Sequence, residues 1–152
     1  MIKQSLIPIF AAAFLAFVAP GPLAAVAAPL ITAEEAALPP QKGAVPNSGR
    51  GITRGPKIQV SEAEAATQTS PMRLYIKFQT FGGSKIDLDT LKMTYLKSPV
   101  VDLTSRIKPF AQPAGIDMPE AQLPPGEHLV RIDVKDSEGR TASTSFLLKI
   151  AP

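Results

Sequence analysis

Cysteine and tryptophan are missing from this sequence of 152 residues, and histidine occurs once. Without cysteine there is no disulfide, thiolate zinc site, iron–sulfur ligand or cysteine nucleophile. A single histidine excludes a multi-histidine metal centre and leaves one imidazole for acid–base work. Aromatic residues make up only 6% of the chain, too few for a platform of stacked bases. An excess of one charge sign is lacking too: 16 Lys+Arg stand against 13 Asp+Glu, interspersed along the chain. A nucleic-acid partner is therefore disfavoured.

Proline, by contrast, is abundant. The 16 prolines are roughly twice the average usage of about 5%. That density excludes a helical bundle and points to short strands, loops and extended linkers.

The first residues read as a secretory signal. Lys3 is the only charge before Glu34, and Ile7 to Ala19 form an apolar run of h-region length. Pro20-Gly21-Pro22 then breaks any helix, and the small residues from Ala24 to Ala28 suit a signal peptidase. Cleavage after Ala27 is favoured over cleavage after Ala28, which would put Pro29 just past the scissile bond. The alternative is an uncleaved anchor, but Pro8, Pro20, Pro22 and Pro29 would leave freed carbonyls in lipid. Removing the signal also removes Lys3, so the basic pI near 9.3 overstates the positive charge of the mature chain. Export without cysteine fits a bacterial periplasm or cell envelope better than a eukaryotic secreted domain, which usually carries disulfides.

Three regions follow: a signal peptide over 1–27, a Pro/Ala/Gly-rich linker over 28–55 and a β domain over 56–152. The linker lacks apolar periodicity and is predicted to be disordered. Its one local signal is Thr32 followed by Glu35, the spacing of a capping box, which predicts a turn or two of helix.

From Pro56 the pattern alternates with period two. Lys57–Val60 predicts a short strand. Met72, Leu74, Ile76 and Phe78 share one face of the next, with Arg73, Tyr75, Lys77 and Gln79 on the other. Leu91–Tyr95 alternates again, and Val130, Ile132 and Val134 oppose Arg131, Asp133 and Lys135. Asp136-Ser137-Glu138-Gly139 predicts a hairpin turn into a last strand with Ala142, Thr144, Phe146, Leu148 and Ile150 inside. Between Ser98 and Pro125, six prolines restrict strands to short or edge positions, with Val100–Leu103 and Gly115–Met118 the best candidates. Six or seven short strands, each with one apolar face, predict a two-sheet antiparallel sandwich.

The string from Leu123 to Arg140, LPPGEHLVRIDVKDSEGR, resembles the last hairpin of bacterial immunoglobulin-like domains, which read L-P-x-G-x-H through D-x-x-G-R/N. Ile86 to Tyr95, IDLDTLKMTY, resembles the strand preceding it in such domains. The resemblance spans Pro56 to Ile150 and implies an immunoglobulin-like all-β fold. It carries no function, because such sandwiches host unrelated roles. The antibody hallmark of a cysteine pair around a core tryptophan is absent.

Candidate chemistry is sparse. His128 falls on the apolar face of its strand and reads as a core-margin residue bonded to a nearby loop, not a catalytic base. Asp87 with Asp89, and Asp136 with Glu138, offer hard oxygens but lack a calcium-loop spacing and read as turn residues. No catalytic residue, cofactor-binding residue or metal ligand is assigned. Lys92, Arg131, Lys135 and Lys149 would share an outer sheet face if their strands are neighbours, a basic surface for an envelope protein or an anionic glycan. Tyr75 and Leu147, apolar at outward positions, are too few to define a patch. These features imply an exported, non-enzymatic binding or structural module. The alternative is a small periplasmic ligand or metal carrier of the copper-carrying sandwich type, for which a lone His128 is a poor ligand set.

Overall fold

The computed structural model describes residues 28–47, 54–61 and 66–152. The signal segment over 1–27 lies outside the described residues. What is described is mostly β-structure in two five-stranded sheets.

The first sheet contains β1 (Ala28–Pro29), β2 (Lys57–Val60), β4 (Met72–Gln79), β7 (Ala111–Gln112) and β8 (Gly115–Gln122), with β8 and β4 central between β1 and β2. The second runs in the order β3 (Thr67–Gln68), β10 (Thr141–Ile150), β9 (Gly126–Asp136), β5 (Ile86–Tyr95) and β6 (Val101–Asp102). The sheets share one apolar core. Leu74, Ile76, Ile116 and Met118 from the first meet Met93, Ile132, Phe146 and Leu148 from the second, all fully buried. The alternation read from the sequence places these residues: β4 buries every second side chain, and Val130, Ile132 and Val134 on β9 face inward.

Three expectations change. The pairing is not purely antiparallel, because β1 joins β8 and β3 joins β10 in parallel. Strand β8 is central and continues through Pro119, where the sequence argued for short or edge strands. Its register with β4 skips between the Leu74–Met118 and Met72–Ala121 pairs. On the opposite edge, β7 and β1 pair only the ends of β8. Pro119 thus sits at a bulge that asks for no N–H.

Third, the segment expected to be a disordered spacer packs as an arm over 28–47. Leu30 is fully buried and Ile31 nearly so, and both donate backbone N–H groups to the Gln122 carbonyl, at 2.9 and 3.3 Å. The short helix α1 (Ala33–Ala36) carries the capping box, with Glu35 N–H donating to Thr32 Oγ1 and Thr32 N–H to Glu35 Oε2. Past it, Pro40 bridges Lys97, and Asn47 bridges Ser145 on β10, beyond the two residues of that edge that β3 pairs. The arm therefore runs from the edge of one sheet to the edge of the other. Unpaired strand edges invite association with other chains, and this arm covers parts of two of them.

A second helix, α2 (Thr104–Ile107), was not expected. The Asp102 carboxylate accepts the Thr104 N–H at 2.8 Å, and Ile107 is fully buried.

Candidate functional site

The strands carrying the four predicted cations are neighbours, so Lys92 on β5, Arg131 and Lys135 on β9 and Lys149 on β10 do lie on one sheet. All four are exposed. Acids interrupt them. Arg131 donates through Nε and Nη2 to Asp133 at 2.8–3.1 Å, and Lys92 is the cross-strand partner of that same Asp133. Lys149 Nζ lies 3.8 Å from Glu127, and Lys135 stands opposite Asp87. From Glu127 to Lys135 the strand covers about 27 Å at about 3.4 Å per residue, so the cations are spread out, each beside an acid.

His128 is 2% exposed. Its Nε2 meets the Pro124 carbonyl at 2.8 Å and its Nδ1 meets the Tyr95 hydroxyl at 2.9 Å. A carbonyl only accepts, so Nε2 carries the proton and Nδ1 accepts from the phenol, which fixes the neutral tautomer. Burial lowers the His128 pKa, the Pro124 hydrogen bond opposes this and the Lys97 charge reinforces it. Burial, with a smaller contribution from the Glu35 charge, pushes Tyr95 up to about 12. Both groups stay neutral near pH 7, and both ring nitrogens are engaged within the fold.

Two cations fasten the arm beside this pair. Lys97 Nζ donates to the Ala36 and Leu38 carbonyls at 2.9 Å each, satisfying acceptors at the end of α1, and lies 5.3 Å from the centre of the Tyr95 ring. Arg106 donates to both oxygens of Glu35, at 2.8 and 2.6 Å, and to the Leu30 carbonyl at 2.8 Å. The Arg106 hydrogen bonds are the main cause that holds Glu35 down at about 2, against the opposing effect of burial. The capping-box spacing marked Glu35, but nothing local marked Arg106 or Lys97 as its neighbours.

The Asp136–Gly139 turn is built as the sequence implied. Asp136 accepts the N–H groups of Glu138 and Arg140 at 3.0 and 2.9 Å and the Arg140 side chain at 2.7 Å. Gly139 takes a φ of 76°, the left-handed conformation that glycine adopts without strain. Burial alone would raise the Asp136 pKa, but the Arg140 and backbone hydrogen bonds lower it. Arg140 also reaches the Phe81 carbonyl and Ser84 Oγ, tying this turn to the β4–β5 loop. Asp87 accepts the Asp89 N–H within a bulge of β5. Among the described residues no three His, Asp or Glu side chains converge as a metal site.

One open, uncharged groove of about 410 Å³ lies between the arm at Ile31–Ala33 and the loops at Ser70–Pro71 and Gln122–Pro124. Among the described residues no helix is long and apolar enough to cross a membrane. Comparisons with protein-family models, curated proteins and solved structures found no match for this chain.

Proposed function

We propose that this chain is an exported, non-catalytic, immunoglobulin-like module of the bacterial envelope that acts by binding a partner at its surface. The observation that carries the reading is His128. The one imidazole in the sequence is buried with both nitrogens hydrogen-bonded, one to Tyr95 and one to Pro124. It is thereby withdrawn from acid–base catalysis and from metal ligation, and the same fact weighs against the copper-carrier alternative. The immunoglobulin-like assignment draws support from the consecutive antiparallel pairing of β5, β9 and β10 across a core shared with the second sheet. The parallel additions of β1 and β3 extend that plan.

The test is to express the full chain in a bacterium and determine its intact mass and cell fraction, with photo-crosslinkers on each outer sheet face. A mass beginning at Ala28 in the envelope fraction, with one crosslinked partner, is the expected result. Retention of the uncut chain in the cytoplasm overturns the export, and absence of any adduct on either face overturns the binding role.

A further inference from the structure

The outer face of the first sheet differs from the face that the charge pattern singled out. Arg73, Tyr75 and Lys77 on β4 all point to solvent, about 7 Å apart along an extended strand. Tyr75 is 39% exposed. The Arg73 guanidinium sits 5.7 Å from the ring centre, held by a two-pronged bond to Asp117 at 2.8 and 2.6 Å. Beside them on β2, Gln59 is the cross-strand partner of Lys77 and donates to Gln79 Oε1 at 3.2 Å. At the end of the row Phe81 is 43% exposed, with Lys57 Nζ 5.4 Å from its centre.

The acids on these strands are Asp117, spent on Arg73, and Glu120, half-buried beyond Pro119. Among the described residues neither Lys57 nor Lys77 is in an ion pair. Among the described residues the face thus combines an aromatic platform, two ammonium groups outside any ion pair and side-chain amides along neighbouring strands.

We propose that this face binds a linear anionic glycan of the polyuronate class. Its pyranose rings would lie on Tyr75, its carboxylates would meet Lys77 and Lys57, and its hydroxyls would meet Gln59 and Gln79. This rests on the reading of the chain as an envelope binding module and names the ligand class and the sheet. The choice of a glycan over a protein follows from the surroundings of the ring. A protein interface centres its aromatic anchor in a desolvated apolar patch, whereas Tyr75 is bordered by a guanidinium, an ammonium and a carboxylate, groups that match a hydroxylated, charged polymer. On the opposite sheet every cation has an acid next to it: Asp133 and Glu127 pair with Arg131 and Lys149, and Asp133 and Asp87 face Lys92 and Lys135 across the ladder, whereas Gln79 and Gln59 face Lys57 and Lys77.

The test uses the full chain and polygalacturonate, with neutral dextran as control. The sequence has no tryptophan and two tyrosines, and Tyr95 is fully buried, so quenching of tyrosine emission reports polymer at Tyr75. Saturable quenching by polygalacturonate, absent with dextran and weakened by salt, is expected. In affinity electrophoresis, Tyr75→Ser and the double variant Lys57→Gln/Lys77→Gln should each weaken retardation about tenfold. Lys135→Gln/Lys149→Gln should leave it unchanged, and thermal melting should be unaltered in all three. No retardation of the wild type, or retardation that survives Tyr75→Ser, overturns the proposal. If polygalacturonate fails while a crosslinked protein or anionic vesicles engage this face, the glycan is wrong and the binding module stands. If nothing binds either face, both fall.

Discussion

Tyr95 donates its phenolic proton to Nδ1 of His128 across 2.9 Å, with the two ring centres 5.7 Å apart and both side chains buried. The contact joins β5 to β9 at the level where Lys97 holds the arm, so one polar pair lies among the core, the Pro124 loop and the N-terminal segment. Its protonation states tie the stability of the domain to pH at both ends of the scale.

In the unfolded chain His128 takes up a proton near its ordinary 6.5, whereas the folded domain resists it to lower pH. The stability this contributes is complete above about pH 6.5 and is lost as pH falls toward the folded value. Urea midpoints measured between pH 8 and pH 5 should decline in the wild type and decline less in His128→Gln. Equal slopes would disprove the assignment.

Tyr95 acts at the alkaline end. Its folded value of about 12 lies above the ordinary 10, so its contribution is full below pH 10 and is lost as pH rises toward 12. Tyr95→Phe should remove that alkaline loss, together with a component of the absorbance rise at 295 nm. At pH 7 the variant should cost about 1–2 kcal/mol, because buried Nδ1 loses its donor.

The Glu35–Arg106 pair predicts a separate acid transition. Glu35 is held at about 2 against an ordinary 4.5, so the stability from this pair is present above pH 4.5 and drains away as pH falls toward 2. Arg106→Met should cost about 2 kcal/mol at pH 7 and release the arm. Hydrogen exchange at the Leu30 and Ile31 amides should accelerate far more than exchange in β9. Uniform acceleration would mean that the arm is no separate unit.

Gly115 has a φ of 154°, and a side-chain carbon there would collide with the Ile76 carbonyl oxygen of the neighbouring strand. Gly115→Ala should therefore cost more than about 2 kcal/mol in chemical denaturation. Gly82→Ala should cost less, since it carries only the penalty of its positive φ, with nothing within 4 Å of the new atom.

Core and surface substitutions on the paired strands check the register. Ile132 and Phe146 are fully buried, and replacing either with Ala should cost about 2–5 kcal/mol. Lys135→Ala, on the solvent face, should cost less than about 0.5 kcal/mol. Equal losses in all three would contradict the observed pairing.

The parts of the fold legible in the sequence are those with local causes. Side chains alternate across a strand, so Met72–Gln79 and the faces of β9 and β10 could be read directly. The capping box needs only residues three apart, and the Asp136–Gly139 turn bonds within itself. The arm has no local signature, because Leu30 and Ile31 sit among prolines and alanines with no period to mark them. Arg106 and Glu35 are separated by 71 positions, and no spacing rule connects such a pair. For the candidate surface, the sequence could show which residues share a strand face but not which acids stand across the ladder. Asp133 therefore compensates a face that looked basic, while Lys57 and Lys77 pass unnoticed.

The sequence by itself determined the β class, the inward faces of the main strands, the turn at Gly139 and the core placement of His128, because each follows from backbone geometry within a few residues. Only the tertiary structure decided the parallel edge additions, the docking of the arm, the Tyr95–His128 bond and which acids stand across the ladder from the outward cations. Those depend on groups brought together from distant parts of the chain, whose attraction and burial exist only once both sheets have closed over the core.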